Sequence, residues 1–181
     1  YDTEVHYVAF SSCEESVPDG YPKDILINEC KEATQALGLE SSNVEIKNYR
    51  VRYFPKFRQE ILEDLVILNK KIQPELVFIP SSIDIHQDHA CMHQESMRAF
   101  KYSSILGYEL PQNTIGFSNN AYIKLSEKDI QLKLKSISKY RSQGFRDYFE
   151  EDFVKGLARV RGVQCGSKYA ESFEVLRIIS N

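Results

Sequence analysis

The chain has 181 residues, which is enough for one domain with a sizeable buried core. Hydrophobic residues make up 42% of it and charged residues 27%, as is ordinary for a globular protein. A formal net charge of -3 without a long Lys/Arg run excludes nucleic-acid binding that depends mainly on electrostatic attraction. No apolar run approaches the roughly 20 residues that cross a membrane. We therefore expect no nucleic-acid partner and no membrane span.

The four cysteines are scattered through the chain and form no Cys-x-x-Cys pair. This pattern favours free thiols in a reducing compartment over a disulfide framework or a cysteine zinc knuckle. We therefore expect a cytoplasmic protein. The sequence leaves the oligomeric state open, and a homo-oligomer is one of the states that it allows.

The first half of the chain alternates strand and helix patterns. β-branched and aromatic residues predict a strand at residues 4–10, and helical periodicity follows at residues 22–37, where Gly38 is a natural stop. A short alternating strand is expected at residues 44–49. A second amphipathic helix fits residues 57–72, beyond which Pro74 prevents continuation.

A continuous apolar run at residues 76–79 then predicts a buried strand, and a third helix is expected at residues 88–100. Three strands that alternate with three helices imply right-handed crossovers. We therefore predict an α/β fold with a mainly parallel sheet that is covered by helices on both faces.

The last third of the chain has short elements and two more helices. Strand candidates lie at residues 105–110, 114–117 and 173–179. Ser126 is the predicted N-cap of one helix, and a second helix is predicted at residues 147–160 with Gly162 at its end. No linker or repeat divides the sequence, so we predict one domain over residues 1–181.

Polar side chains concentrate directly after the buried strand. Three of the four histidines lie in residues 80–93, interleaved with two carboxylates. These candidate site residues are Asp84, His86, Asp88, His89 and His93. Ligands of open α/β sheets bind at the carboxyl ends of the strands. This stretch is therefore the predicted half of a metal-dependent active site.

The spacing of these residues suits a zinc ligand and its support. His89 and His93 can share one helix face, with His86 one turn earlier in the loop. Imidazole is the usual zinc ligand, and a nearby carboxylate often orients it. A catalytic zinc needs about three protein ligands. The others must come from elsewhere, because no further cluster with ligand spacing follows downstream.

Two alternative interpretations stay open at this point. Histidines at a helix start can be surface residues or local caps, and His93 fits a packing or supporting role better than a ligand role. Ser11, Ser12 and Cys13 follow the first strand and could hold a nucleophile, although a polar loop is the favoured interpretation there. No phosphate loop, dinucleotide fingerprint or Gly-x-Ser-x-Gly elbow is present.

The histidine stretch resembles a motif of the PIG-L/LmbE-like family of zinc-dependent N-acetylglucosaminyl de-N-acetylases. Residues 84–89, Asp-Ile-His-Gln-Asp-His, look like the family's His-x-Asp-His motif. The order of the surrounding features is similar over nearly the whole chain. These features are Glu29 with Ala33, Leu37 and Gly38; Pro74-Glu75-Leu76-Val77; Lys133 or Lys135 with Ser142-Gln143; and Arg161-Gly162 with Tyr169-Ala170-Glu171-Ser172-Phe173.

The resemblance implies a Rossmann-like, LmbE-like three-layer fold and an N-acetylated amino sugar as substrate. It implies that His89 binds zinc and that His86 and Asp88 are catalytic. His86 would act beside the substrate carbonyl, and Asp88 would support the site. Asp84 and His93 would contact the substrate or support the metal ligand. Zinc would polarise the carbonyl and lower the pKa of its water.

Two departures from the family pattern bear on this expectation. The His-Pro-Asp-Asp-Glu motif, which supplies the other metal ligands and the general base, is absent from the chain, and Leu26 stands where many members carry arginine. We expect an N-terminal strand, catalytic loop and first helix before Tyr1, without which the chain should bind zinc poorly. The alternative is a catalytically inactive relative that binds a sugar or a partner.

Overall fold

The computed structural model describes residues 3–180 and has a mixed α/β fold, which confirms the predicted class. Its strands are β1 (Tyr7–Ala9), β2 (Val44–Ile46), β3 (Leu76–Pro80), β4 (Ser104–Tyr108), β5 (Ala121–Leu125) and β6 (Tyr169–Arg177). Its α-helices are α1 (Ile25–Ala36), α2 (Arg58–Ile72), α3 (Gln87–Ala99), α4 (Glu127–Ile137) and α5 (Glu151–Gln164). No helix among these residues is long and apolar enough to cross a membrane.

The chain divides into two compact units. The first unit contains the chain up to Val51 together with Lys124–Ala170, and the second contains Arg52–Ile123 and the chain from Glu171 onward. Each unit is therefore discontinuous in sequence.

In the first unit, β1 pairs with β2 in parallel, and α1 packs against α4. A small core of Ile130, Ala158 and Tyr169 lies between α4, α5 and the start of β6. The predicted cap of α4 is confirmed, because the Ser126 hydroxyl accepts a hydrogen bond from the Asp129 N–H and the Asp129 side chain reciprocates. The stop after α1 is also confirmed, since Gly38 adopts a φ of 88°.

The predicted end of the last helix was wrong. Gly162 lies inside α5, which continues to Gln164. A Cβ atom at Gly162 would lie 2.6 Å from the Lys168 carbonyl oxygen. Glycine is therefore needed here because two backbone segments approach each other, and not because the helix stops.

The larger sheet has the strand order β3-β4-β6-β5. β3 and β4 are parallel, whereas β4 and β6 are antiparallel. In the second unit α2 packs against α3, and α3 contacts β3. The buried apolar side chains there include Ile61, Leu65, Ile79, Ile105 and Phe173.

Two strand predictions differ from the structure. Residues 114–117 form a turn, and the strand lies later, at β5, which the sequence did not indicate. Residues 76–79 do form a strand, but its predicted burial was wrong: Leu76 is 42% and Phe78 is 46% exposed. The reason is its position, because within residues 3–180 β3 pairs only with β4 and forms an edge of its sheet.

Candidate active site

The loop at residues 81–86 connects β3 to α3 and carries the first site residues. His86 is the N-cap of α3, and its Nδ1 atom accepts a hydrogen bond from the Asp88 N–H at 3.2 Å. An imidazole therefore does here what a serine or aspartate side chain usually does at a helix start. The cap fixes the ring of His86 at the first turn of the helix.

Asp84 and His89 form the central pair of the site. Asp84 is 5% exposed, and its two oxygens accept hydrogen bonds from the His86 N–H at 2.9 Å and from the His89 Nδ1 atom at 2.8 Å. An ionised carboxylate can only accept, so this network assigns the ring proton of neutral His89 to Nδ1. The Nε2 atom of His89 is then left with a lone pair, the arrangement found in carboxylate–histidine–metal sites.

The His86 ring stacks on the His89 ring, with 4.6 Å between centroids and 29° between planes. Burial lowers the pKa of His86 below its ordinary value, and the neighbouring His89 and Arg52 lower it further against the opposing effects of Asp88 and Asp84. Because Nδ1 of His86 is an acceptor, the neutral ring carries its proton on Nε2. Two imidazoles therefore present opposite functions, a donor on His86 and a lone pair on His89.

Asp88 supports a neighbouring backbone segment. It is 3% exposed, and its carboxylate oxygens accept hydrogen bonds from the N–H groups of Arg52 and, at 3.1 Å, Phe54. The side chain therefore ties residues 52–54 to the first turn of α3. Its catalytic role stays a prediction. Because both oxygens already accept hydrogen bonds, Asp88 would contribute by holding the backbone around the site in place.

We expect Asp88→Ala to lower the free energy of unfolding by about 2–4 kcal/mol, because two backbone N–H groups lose their charged acceptor. Urea unfolding measures this difference. Glu63→Ala, on the exposed face of α2, is the matched control and should stay within about 0.5 kcal/mol of the parent. Equal stabilities of the parent and Asp88→Ala would show that these two hydrogen bonds do not contribute to the stability of the fold.

His93 lies one turn after His89 on α3, and its Nδ1 atom is 2.9 Å from the Pro80 carbonyl oxygen. This bond joins the helix to the end of β3. It fits the supporting role that the sequence favoured, while contact of His93 with substrate stays a prediction.

The described residues fit one ligand of a zinc site and not the full set. Within residues 3–180, no group of three or more His, Cys, Asp and Glu side chains could hold a metal ion. Burial raises the pKa of the Cys91 thiol on α3 to about 11, so without a bound metal this side chain is protonated and uncharged at neutral pH. His89 with Asp84 thus stands as a single oriented candidate ligand.

Sequence reasoning missed Asn113, whose Nδ2 atom lies 3.4 Å from Nδ1 of His89 and whose carbonyl accepts a hydrogen bond from the Ile85 N–H. Asn113 lies in a loop between β4 and β5, and no local pattern marks it. The Ser11–Cys13 stretch is a polar turn, in which the Ser11 hydroxyl accepts from the Cys13 N–H. This agrees with the polar-loop interpretation.

In the first unit, two separate features of the family resemblance meet. The fully buried Glu29 of α1 accepts hydrogen bonds from the Ser142 N–H at 2.9 Å and the Ser142 hydroxyl at 2.6 Å. These residues are 113 positions apart in sequence. Two features that the resemblance gave separately are therefore in contact in the folded chain.

The chain is similar to a known protein family and to several solved structures. The family model for PIG-L, GlcNAc-PI de-N-acetylase, matches residues 1–100. No curated protein sequence matches the chain. The N,N'-diacetylchitobiose deacetylase from Pyrococcus horikoshii, solved with an inhibitor, is 23% identical, with a TM-score of 0.77, and the match covers 96% of this chain and 73% of that one.

Two further solved structures are similar. A conserved protein from Thermus thermophilus is 20% identical with a TM-score of 0.78, over 98% of this chain and 84% of that one. A zinc-inhibited form of a teicoplanin deacetylase is 13% identical with a TM-score of 0.71, over 94% and 82%. These likenesses show the Rossmann-like fold of the LmbE-like deacetylases. The family model covers more than half of the residues, so the chain belongs to the PIG-L family of de-N-acetylases.

Proposed function

We propose that the protein is a metal-dependent hydrolase that removes the N-acetyl group from an amino sugar or an N-acetylglucosamine-containing conjugate in the cytoplasm. Family membership supports the deacetylase chemistry, and all four cysteines are free thiols, as suits a reducing compartment. The observation that carries the proposal is the buried Asp84 carboxylate bonded at 2.8 Å to His89 Nδ1. That bond leaves Nε2 of His89 with a lone pair, which would be available as a ligand for Zn2+.

The two imidazoles divide the chemistry of amide hydrolysis. Water adds to the carbonyl carbon, negative charge develops on the oxygen, and the C–N bond breaks to give acetate and an amine. The Nε2–H of neutral His86 is a donor that can stabilise this oxygen, while the leaving nitrogen takes up a proton that comes from the attacking water. A zinc ion bound beside them would polarise the carbonyl and acidify its water.

We further propose that the protein forms a single deacetylase-like domain in which a segment before Tyr1 supplies the other metal ligands and a further strand. Two observations support this. β3 is apolar throughout, as parallel strands covered on both faces are, yet it lies at a sheet edge with Leu76 and Phe78 exposed. The Ser81 hydroxyl, at the end of β3, is buried and has no partner among residues 3–180.

A second candidate function is a non-catalytic domain that binds a sugar or a partner. The lack of a three-ligand group within residues 3–180 favours this alternative. It predicts no zinc in the full-length protein and ligand binding without turnover.

The test is acetate release by the full-length protein from N-acetylglucosamine, N,N'-diacetylchitobiose and N-acetylglucosaminyl-phosphatidylinositol, with zinc content measured in parallel. We expect acetate release from at least one substrate. Chelation should lower its rate on the order of 1,000-fold, because a bound ion stabilises the transition state by several kcal/mol. Chelator-insensitive release would contradict metal dependence. Zinc-free protein that binds but never turns over these compounds would establish the second candidate.

A further inference from the structure

The site loop is tied to β6 by one carboxylate. Glu174 accepts two hydrogen bonds from Ser82, one from the backbone N–H at 2.8 Å and one from the hydroxyl at 2.5 Å. The two residues are 92 positions apart in sequence. Ser82 lies outside the strands, and the contact uses the side chain of Glu174, so it is additional to the backbone pairing of β6 with β4. It anchors the loop just after the strand ends.

The contact is made across β4, which lies between β3 and β6 in the sheet. Gly107 of β4 is paired with Ile79 on one side and with Glu174 on the other. A Cβ atom at Gly107 would lie 3.0 Å from Ser81 Cα and 3.2 Å from Glu174 Oε2. The missing side chain therefore leaves the space through which the Glu174 side chain reaches the loop.

The anchored turn leads directly to the candidate ligand. The Asp84 N–H donates to the Ser81 carbonyl at 3.3 Å, which closes a turn with Ser82 inside it. The Asp84 carboxylate then bonds His89 Nδ1 at 2.8 Å. A continuous path of hydrogen bonds and short backbone thus joins Glu174 to the His89 ring.

We propose that Glu174 is a positioning residue: its carboxylate fixes the turn at residues 81–84 and, through Asp84, the orientation of the His89 ring. The inference rests on the proposed function for the role of His89, and its own content is the link from β6 to that ring. Groups that orient a metal ligand typically change affinity or activity by about 10–100-fold when removed. Glu174 acts one step further away, so the lower end of this range applies.

The test uses the full-length protein with Glu174→Ala, Glu174→Gln and Ser82→Ala, and with Glu63→Gln as the matched surface control. Nitrogen NMR of the chelator-treated protein, at a pH above the ordinary pKa of imidazole, reports the tautomer of His89. We expect one Nδ1–H tautomer in the parent and the control, and a mixture of tautomers in Glu174→Ala. For Glu174→Ala purified with its metal, we expect kcat to be about tenfold lower than in the parent and KM to stay within about twofold of the parental value.

A double-mutant comparison separates this link from general damage. Adding Ser82→Ala to Glu174→Ala should change neither the tautomer mixture nor kcat any further, because Glu174→Ala already removes both hydrogen bonds from Ser82. If Glu174→Ala does not fold, the same measurements are made on Glu174→Gln. That variant replaces one of the two acceptor atoms by a donor and so weakens the contact with Ser82. Fully additive effects, or a single unchanged tautomer in a folded variant with parental kcat, would overturn the proposal.

The outcomes also separate this inference from the proposed function. A tautomer change in Glu174→Ala without acetate release from any substrate would leave the positioning role standing while the hydrolase proposal fails. Acetate release with an unaffected His89 ring would do the reverse.

Discussion

His89→Ala should remove both zinc and activity from the full-length protein. The substitution deletes the ring that Asp84 orients at 2.8 Å and leaves that carboxylate, 5% exposed, without one of its two donors. We expect kcat/KM to fall on the order of 1,000-fold or more, because loss of the ion also removes several kcal/mol of transition-state stabilisation. Zinc content by elemental analysis and acetate release measure the two effects.

His6→Gln is the control for this experiment. His6 lies just before β1 and pairs with Glu4 at 3.2 Å, so the variant removes an imidazole without touching the candidate site. It should retain parental zinc and activity. A His89→Ala protein that keeps its zinc would exclude His89 as a ligand, and the proposed site would fail with it.

His86→Ala should separate turnover from metal binding. The His86 ring caps α3 and places an Nε2–H beside His89. Unlike His89, it does not present a lone pair that could bind a metal. We expect kcat to fall by about 100–1,000-fold, as when a donor to a developing oxyanion is removed, with zinc content close to parental.

Loss of the cap also lowers stability by about 1 kcal/mol, which urea unfolding can measure separately. His86→Asn keeps a capping acceptor and serves as the matched variant. It should restore the stability without restoring kcat. Equal losses of zinc in His86→Ala and His89→Ala would contradict the division of roles between the two rings.

The sequence predicted the location of the site but not its internal contacts. Residues 84–89 identified a carboxylate and an imidazole as partners without deciding which aspartate meets which histidine. The structure pairs Asp84 with His89, because the backbone at Arg52 and Phe54 captures Asp88. That choice depends on a segment more than thirty positions away in sequence, and local spacing carries no information about it.

The same limit explains the other misses. Ile115 and its neighbours have strand-like composition, yet Ile115 is 85% exposed in a loop, and the strand forms at β5 instead. Side-chain type set the expectation, and pairing with the rest of the sheet decided the outcome. Asn113 and Glu174 reach the site from distant parts of the chain, so only the folded backbone reveals them.

The contact between Glu29 and Ser142 has a consequence for biosynthesis. A ribosome that adds 5–20 residues per second needs about 6–23 s to make the 113 positions between them. During that interval the Glu29 carboxylate of α1 lacks the two donors of Ser142, so burying it would carry the cost of an unpaired charge. We therefore expect the core around Glu29 to close only after Ser142 has been synthesised.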